Sequence, residues 1–133
     1  MMNRTLSSVA LFTATAALSA AAWAGYRYPI EVQIDTANRT AKGALGSARA
    51  SADNNQAIGC RVGASAGSSS PVAYCFAVDA SGCKAECSSS DAAILAAVST
   101  LRDSSILSFG WSPGGACLSV TVENYSSNPP LQP

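Results

Sequence analysis

Histidine is absent from all 133 residues. That absence excludes Ser-His-Asp and Cys-His catalytic sets and every histidine-based metal site. Charge is scarce too: charged residues are 12% of the chain, 8 basic against 8 acidic, with no basic run. Nucleic acid and anionic membrane surfaces therefore have no electrostatic support as partners. The carboxylates are scattered, and most fall where a turn or a helix cap would use them. A glycosidase needs two at a set separation, and no such pair stands out. No glycine loop ends in Lys-Ser/Thr, so the phosphate cradle of that motif is missing. Asp53-Asn54-Asn55 opens like a calcium loop, but Gln56-Ala57-Ile58 supplies neither the oxygen ligands nor the closing glutamate. Cys83 and Cys87 are separated by three residues, not the two of a redox dithiol. No cofactor is implied, and the chain is read as a non-enzyme.

What is present begins with a leader. Arg4 makes a short basic start, Leu6 to Ala22 is apolar and alanine-rich, and Ala22-Trp23-Ala24 fits a small-x-small cleavage site. We read residues 1–24 as a signal peptide, leaving a single domain over 25–123 and an exposed C-terminal tail over 124–133. Ser7, Ser8, Thr13 and Thr15 interrupt the apolar run, which argues against a permanent membrane span. Removing the leader also removes Arg4 and leaves one acidic residue in excess. It leaves all five cysteines, which in an exported chain read first as disulfides with one thiol over. A zinc site built on Cys83 and Cys87 is the weaker alternative. The expected location is secreted or periplasmic.

The stretch from Val72 to Arg102 organises the rest. Val72, Tyr74, Phe76 and Val78 alternate with Ala73, Cys75 and Ala77, the period of a half-buried strand. Asp79-Ala80-Ser81-Gly82 has turn chemistry, and Gly82 can close a three-residue hairpin loop. That loop puts Cys75 opposite Cys87, within disulfide reach; a four-residue loop would put Cys87 opposite Tyr74 instead. Ser88 to Asp91 are capping residues, and Ile94, Leu95, Val98 and Leu101 form one apolar helical stripe. Asp91 and Arg102 suit the two ends of the helix dipole.

Around this centre, Ile30–Ile34 and Ala57–Val62 read as strands. Ala44–Asp53 alternates small residues with larger ones, and Gly43 and Gly46 favour a strand or extended segment there over an alanine-rich helix. The run from Gly63 to Pro71 is a glycine- and serine-rich loop. Ile106–Trp111 and Ala116–Val122 form a second hairpin joined by Ser112–Gly115, with Pro113 and Gly114 central in a type II turn. Leu107, Phe109 and Trp111 should meet Leu118, Val120 and Val122 across it. The fold class is α+β: an antiparallel sheet of about five to six strands, one amphipathic helix packed on it, and disulfide bracing.

The block Gly43 to Cys60, with Ala73-Tyr74-Cys75, Cys87-Ser88-Ser89 and the helix, resembles a group of small exported proteobacterial proteins of unassigned function. The resemblance implies a compact disulfide domain and an envelope or extracellular location, and no activity. Cys60, Cys75, Cys87 and Cys117 match that pattern and Cys83 is an addition to it. The resemblance thus implies Cys83 as the free thiol, with Cys75–Cys87 and Cys60–Cys117 as the bridges.

Three functions follow as expectations. The first is an exported, non-enzymatic binding or envelope-associated domain for a protein or glycan, with Tyr26, Tyr28, Trp111 and Tyr125 as its candidate ligand surface. Trp111, just before a tight turn, better suits the end of a core. The second is an exported inhibitor of a protease or lysozyme, presenting Gly63–Pro71 or Ser112–Gly115. The third is a thiol-dependent redox activity at Cys83, next to Lys84.

Overall fold

The computed structural model describes residues 29–127. Among these residues, seven strands form two antiparallel sheets and are joined by two short helices, an α+β fold. The strands are β1 (Gln33–Asp35), β2 (Thr40–Ala44), β3 (Ala57–Gly63), β4 (Val72–Val78), β5 (Lys84–Ser89), β6 (Ile106–Trp111) and β7 (Cys117–Glu123). The helices are α1 (Leu45–Arg49) and α2 (Ala92–Val98). The larger sheet runs β1-β2-β6-β7 and the smaller β3-β4-β5. The expected signal peptide over 1–24 and the expected tail beyond residue 127 lie outside the described residues, as do Tyr26 and Tyr28.

Both hairpin turns are built alike. Asp79 N donates to Cys83 O at 3.0 Å and Gly82 N to Asp79 O at 2.9 Å, with Gly82 at φ 84°. Ser112 N donates to Ala116 O at 2.9 Å and Gly115 N to Ser112 O at 2.9 Å, with Gly115 at φ 81°. Each is a three-residue loop closed by a left-handed glycine. In the second, the left-handed residue is Gly115 and not Gly114, so the expected type II turn is replaced. That choice adds a bulge between Gly110 and Trp111, which sets Cys117 opposite Trp111. Leu107 still faces Val122 and Phe109 faces Val120, but Leu118 is turned outward and is 69% exposed. The expectation for Leu118 is thereby corrected.

Residues 45–49 form α1, where an extended segment was expected. Leu45 N donates to Ser105 O at 3.0 Å, so the backbone at the start of α1 is tied to the start of β6. Ser47 Oγ accepts from Ile30 N at 3.1 Å, and Gly46 and Ala48 are buried. Asp91 caps α2, accepting from Ala93 N at 2.8 Å and Ile94 N at 3.2 Å. The helix packs chiefly on β7 and reaches β3 and β4.

One core joins everything. Leu107 and Phe109 are 0% and 2% exposed, and they cluster with Ala73, Cys75, Ala77, Ala85 and Val98. The sheets are tied together by Ser88 N donating to Gly115 O at 3.0 Å and by a disulfide, Cys87–Cys117. The second disulfide is Cys60–Cys75, within the smaller sheet. The four bridged cysteines are those expected, and Cys83 is free. The pairing differs from the expected Cys75–Cys87 and Cys60–Cys117.

The ladder explains the difference. Cys75 lies opposite Cys60 on one side and opposite Cys87 on the other. The Asp79–Cys83 bond fixes the alternation, which makes Cys75/Cys87 a hydrogen-bonded pair and Cys60/Cys75 a non-hydrogen-bonded one. Side chains approach more closely in the second kind, and the Cα atoms of Cys60 and Cys75 are 4.0 Å apart. Cys87 is left to meet Cys117, which the bulge has turned inward.

Candidate functional site

The three-stranded sheet has an unusual polarity. Its core face carries only small side chains from β4 and β5: Ala73, Cys75, Ala77, Ala85 and Cys87. Its outer face carries the large ones. Val72 and Phe76 are 43% and 38% exposed, and Tyr74 and Val78 beside them are half-buried. Pairing fixes their neighbours: Gly59, Arg61 and Gly63 of β3 lie opposite Phe76, Tyr74 and Val72. On the other flank, Lys84, Glu86 and Ser88 of β5 lie opposite Val78, Phe76 and Tyr74.

Tyr74 is the hub of this face. The Arg61 guanidinium sits 4.8 Å from its ring centroid, a cation–π contact. Its hydroxyl donates to Glu86 Oε2. That hydrogen bond, with desolvation and the negative charge of Glu86, raises the phenol above its ordinary value, while Arg61 opposes the shift. Beyond Tyr74 the sheet opens into a shallow concavity of about 400 Å³, lined by Arg61, Tyr74, Val72, Ser88 and the Ala64–Ser70 loop. Among the described residues Arg61 has no carboxylate partner, and the ion pair there is Lys42–Glu123, at 3.5 Å.

Two carboxylates shape one end of the sheet without joining its outer face. Asp53 accepts from Gln56 Nε2, Asn55 N and Gln56 N, and these bonds hold it below the usual carboxylate value. Asp79 accepts from Ser81 Oγ, Ser81 N and Cys83 N, and is lowered likewise, chiefly by the Ser81 hydroxyl. Asn55 Nδ2 links the two turns by donating to Ala80 O at 3.0 Å.

The sequence-derived candidates fall elsewhere. Trp111 is half-buried against the core, its ring 5.9 Å from that of Phe109. Tyr125 is 60% exposed beyond β7 and shares no ring contact with Trp111. Cys83 is half-buried at the end of the β4–β5 turn. Among the described residues no group of three or more Cys, Asp or Glu could hold a metal ion, and no helix is long and apolar enough to cross a membrane. Arg61, Tyr74, Phe76 and Glu86 were not singled out as a surface from sequence. No family model matches the chain, and neither a curated protein nor a solved structure matches it.

Proposed function

We propose that the protein is an exported, non-enzymatic binding domain whose contact surface is the outer face of β3, β4 and β5, and that its partner is a protein. One observation carries the reading: β4 turns Val72, Tyr74 and Phe76 to solvent while its core face is alanine and cysteine. Burial of apolar side chains is the main favourable contribution to folding, so a strand that leaves its largest ones outside keeps that contribution for something else. Tyr, Phe and Arg on a shallow face, flanked by charged residues, have the composition of a protein interface.

The test is retention of envelope-extract components by the immobilised mature protein and by its Val72→Thr/Phe76→Thr variant. Threonine keeps the β-propensity while removing the apolar surface. A protein retained by the wild type and depleted roughly tenfold or more by the variant is the expected result. Equal retention by both, retention of glycan alone, or no retention at all overturns it.

A further inference from the structure

β3 is an open edge. The alternation fixed at the β4–β5 turn means that Gly59 and Arg61 bond to β4, while Ile58, Cys60 and Val62 aim their amides and carbonyls away from the sheet. Outside the β3–β4 ladder these three make no backbone bond to any described residue. Ile58 is buried, Cys60 is half-buried and Val62 is 46% exposed, so the accessible part of the edge is its second half. No proline, lysine or bulge blocks it, although edge strands are commonly protected by such devices.

On the outer face this edge has a pattern: Gly59, Arg61, Gly63. A Cβ on Gly59 would stand 3.7 Å from Cε1 of Phe76, so the Phe76 ring leans over that glycine toward the open edge. At Gly63 a Cβ would meet nothing within 4 Å, and Val72 lies across from it, 43% exposed. Between them, Arg61 is held by the Tyr74 ring and not by any described carboxylate, which leaves its fork of N–H donors to spare.

We propose, resting on the binding face assigned above, that the partner presents an extended segment that adds to β3 as a fourth strand, with an acidic residue flanked two positions away on each side by apolar ones. The backbone of Cys60 and Val62 supplies the ladder bonds. The acidic side chain pairs with Arg61, and the apolar side chains cover Gly59 and Gly63 and meet Phe76 and Val72. A second copy of this chain fits poorly: antiparallel pairing about Cys60 would set Gly59 against Arg61 and offer it no carboxylate.

The probe is the synthetic peptide Thr-Val-Thr-Glu-Thr-Val-Thr, capped at both ends, against the same peptide with Gln for Glu. Peptide titration with amide hydrogen exchange on the full mature chain reads both affinity and place. The expected result is binding by the Glu peptide roughly fivefold tighter than by the Gln peptide, new protection at Cys60 and Val62, and loss of the preference in Arg61→Gln. No preference, protection confined to other strands, or dimerisation through β3 overturns the strand addition. If the Val72→Thr/Phe76→Thr variant loses the envelope protein while the peptides leave β3 unprotected, strand addition fails and the binding face survives. If that variant retains the protein unchanged, the binding face itself fails.

Discussion

The two sheets of this domain are built from similar residues and use them in opposite ways. In the four-stranded sheet, Leu107 and Phe109 point inward between Ala41, Gly43, Val120 and Val122; the other face carries Thr40, Lys42, Ser108, Ser119, Thr121 and Glu123, with Ala44 and Ile106 buried at one end of it. Lys42 and Glu123 pair there across β6. In the three-stranded sheet β4 and β5 keep their large residues outside and their small ones inside, with Ile58 of β3 the large side chain buried on the inner face. The first arrangement is what a fold needs. The second supports the core only as a thin, close-packed wall, braced by Cys60–Cys75 and by Cys87–Cys117. A sheet that contributes little bulk to the core yet is cross-linked twice is better explained by what it displays than by what it buries.

Substitutions can break this contrast. Phe109→Ala empties the middle of the core and is expected to cost about 3–5 kcal/mol, read from denaturant unfolding. Loss of a disulfide comes next. Removing Cys87–Cys117, which spans 30 residues and joins the sheets, should cost about 3–4 kcal/mol in a Cys87→Ala/Cys117→Ala variant. Removing Cys60–Cys75, which spans 15 residues within one sheet, should cost about 3 kcal/mol. A larger loss from the second pair would reverse the view that Cys87–Cys117 is the main tie between the sheets.

Acid gives a smaller and sharper contrast. The carboxyls of Asp53 and Asp79, both at one end of the three-stranded sheet, are lowered by hydrogen bonds from Gln56 and Ser81. Asp35, lowered by Asn38, is their counterpart in the β1–β2 turn. A carboxyl with a depressed folded pKa stabilises the fold above its unfolded value of about 3.9, and that stability is lost as pH falls through the folded value. Stability should therefore be level from neutral pH to about 5 and decline below about 4. Amide exchange should rise first around Asn55 and Ala80, where two of the three groups meet. Uniform loosening of both sheets would contradict this.

Much of the fold was legible in the residues, and its misses have physical causes. Gly82 and Asp79 set the first hairpin correctly, down to Cys75 opposite Cys87, because a three-residue loop leaves one register. The same register could not reveal which neighbour Cys75 would bond, since Cys60 approaches from the other side. The α1 segment misled because small residues alternating with larger ones imitate a strand, and five residues are too few to show a helical period. The orientation of β4 was not read from the sequence. Both of its faces are apolar, so alternation fixed the period without its sense. The signal was in the partner strand: the correct register puts Glu86 opposite Phe76 and Lys84 opposite Val78, and two charges on that face point it toward water.

The most direct measurement is the unfolding free energy of Val72→Thr/Phe76→Thr beside wild type, by denaturant titration of the disulfide-intact chain. If the large residues of β4 are kept for a partner, the variant loses less than about 1 kcal/mol. A loss above about 3 kcal/mol, the scale of an emptied core, would mean that Val72 and Phe76 hold the fold together and that the outward face is no binding surface.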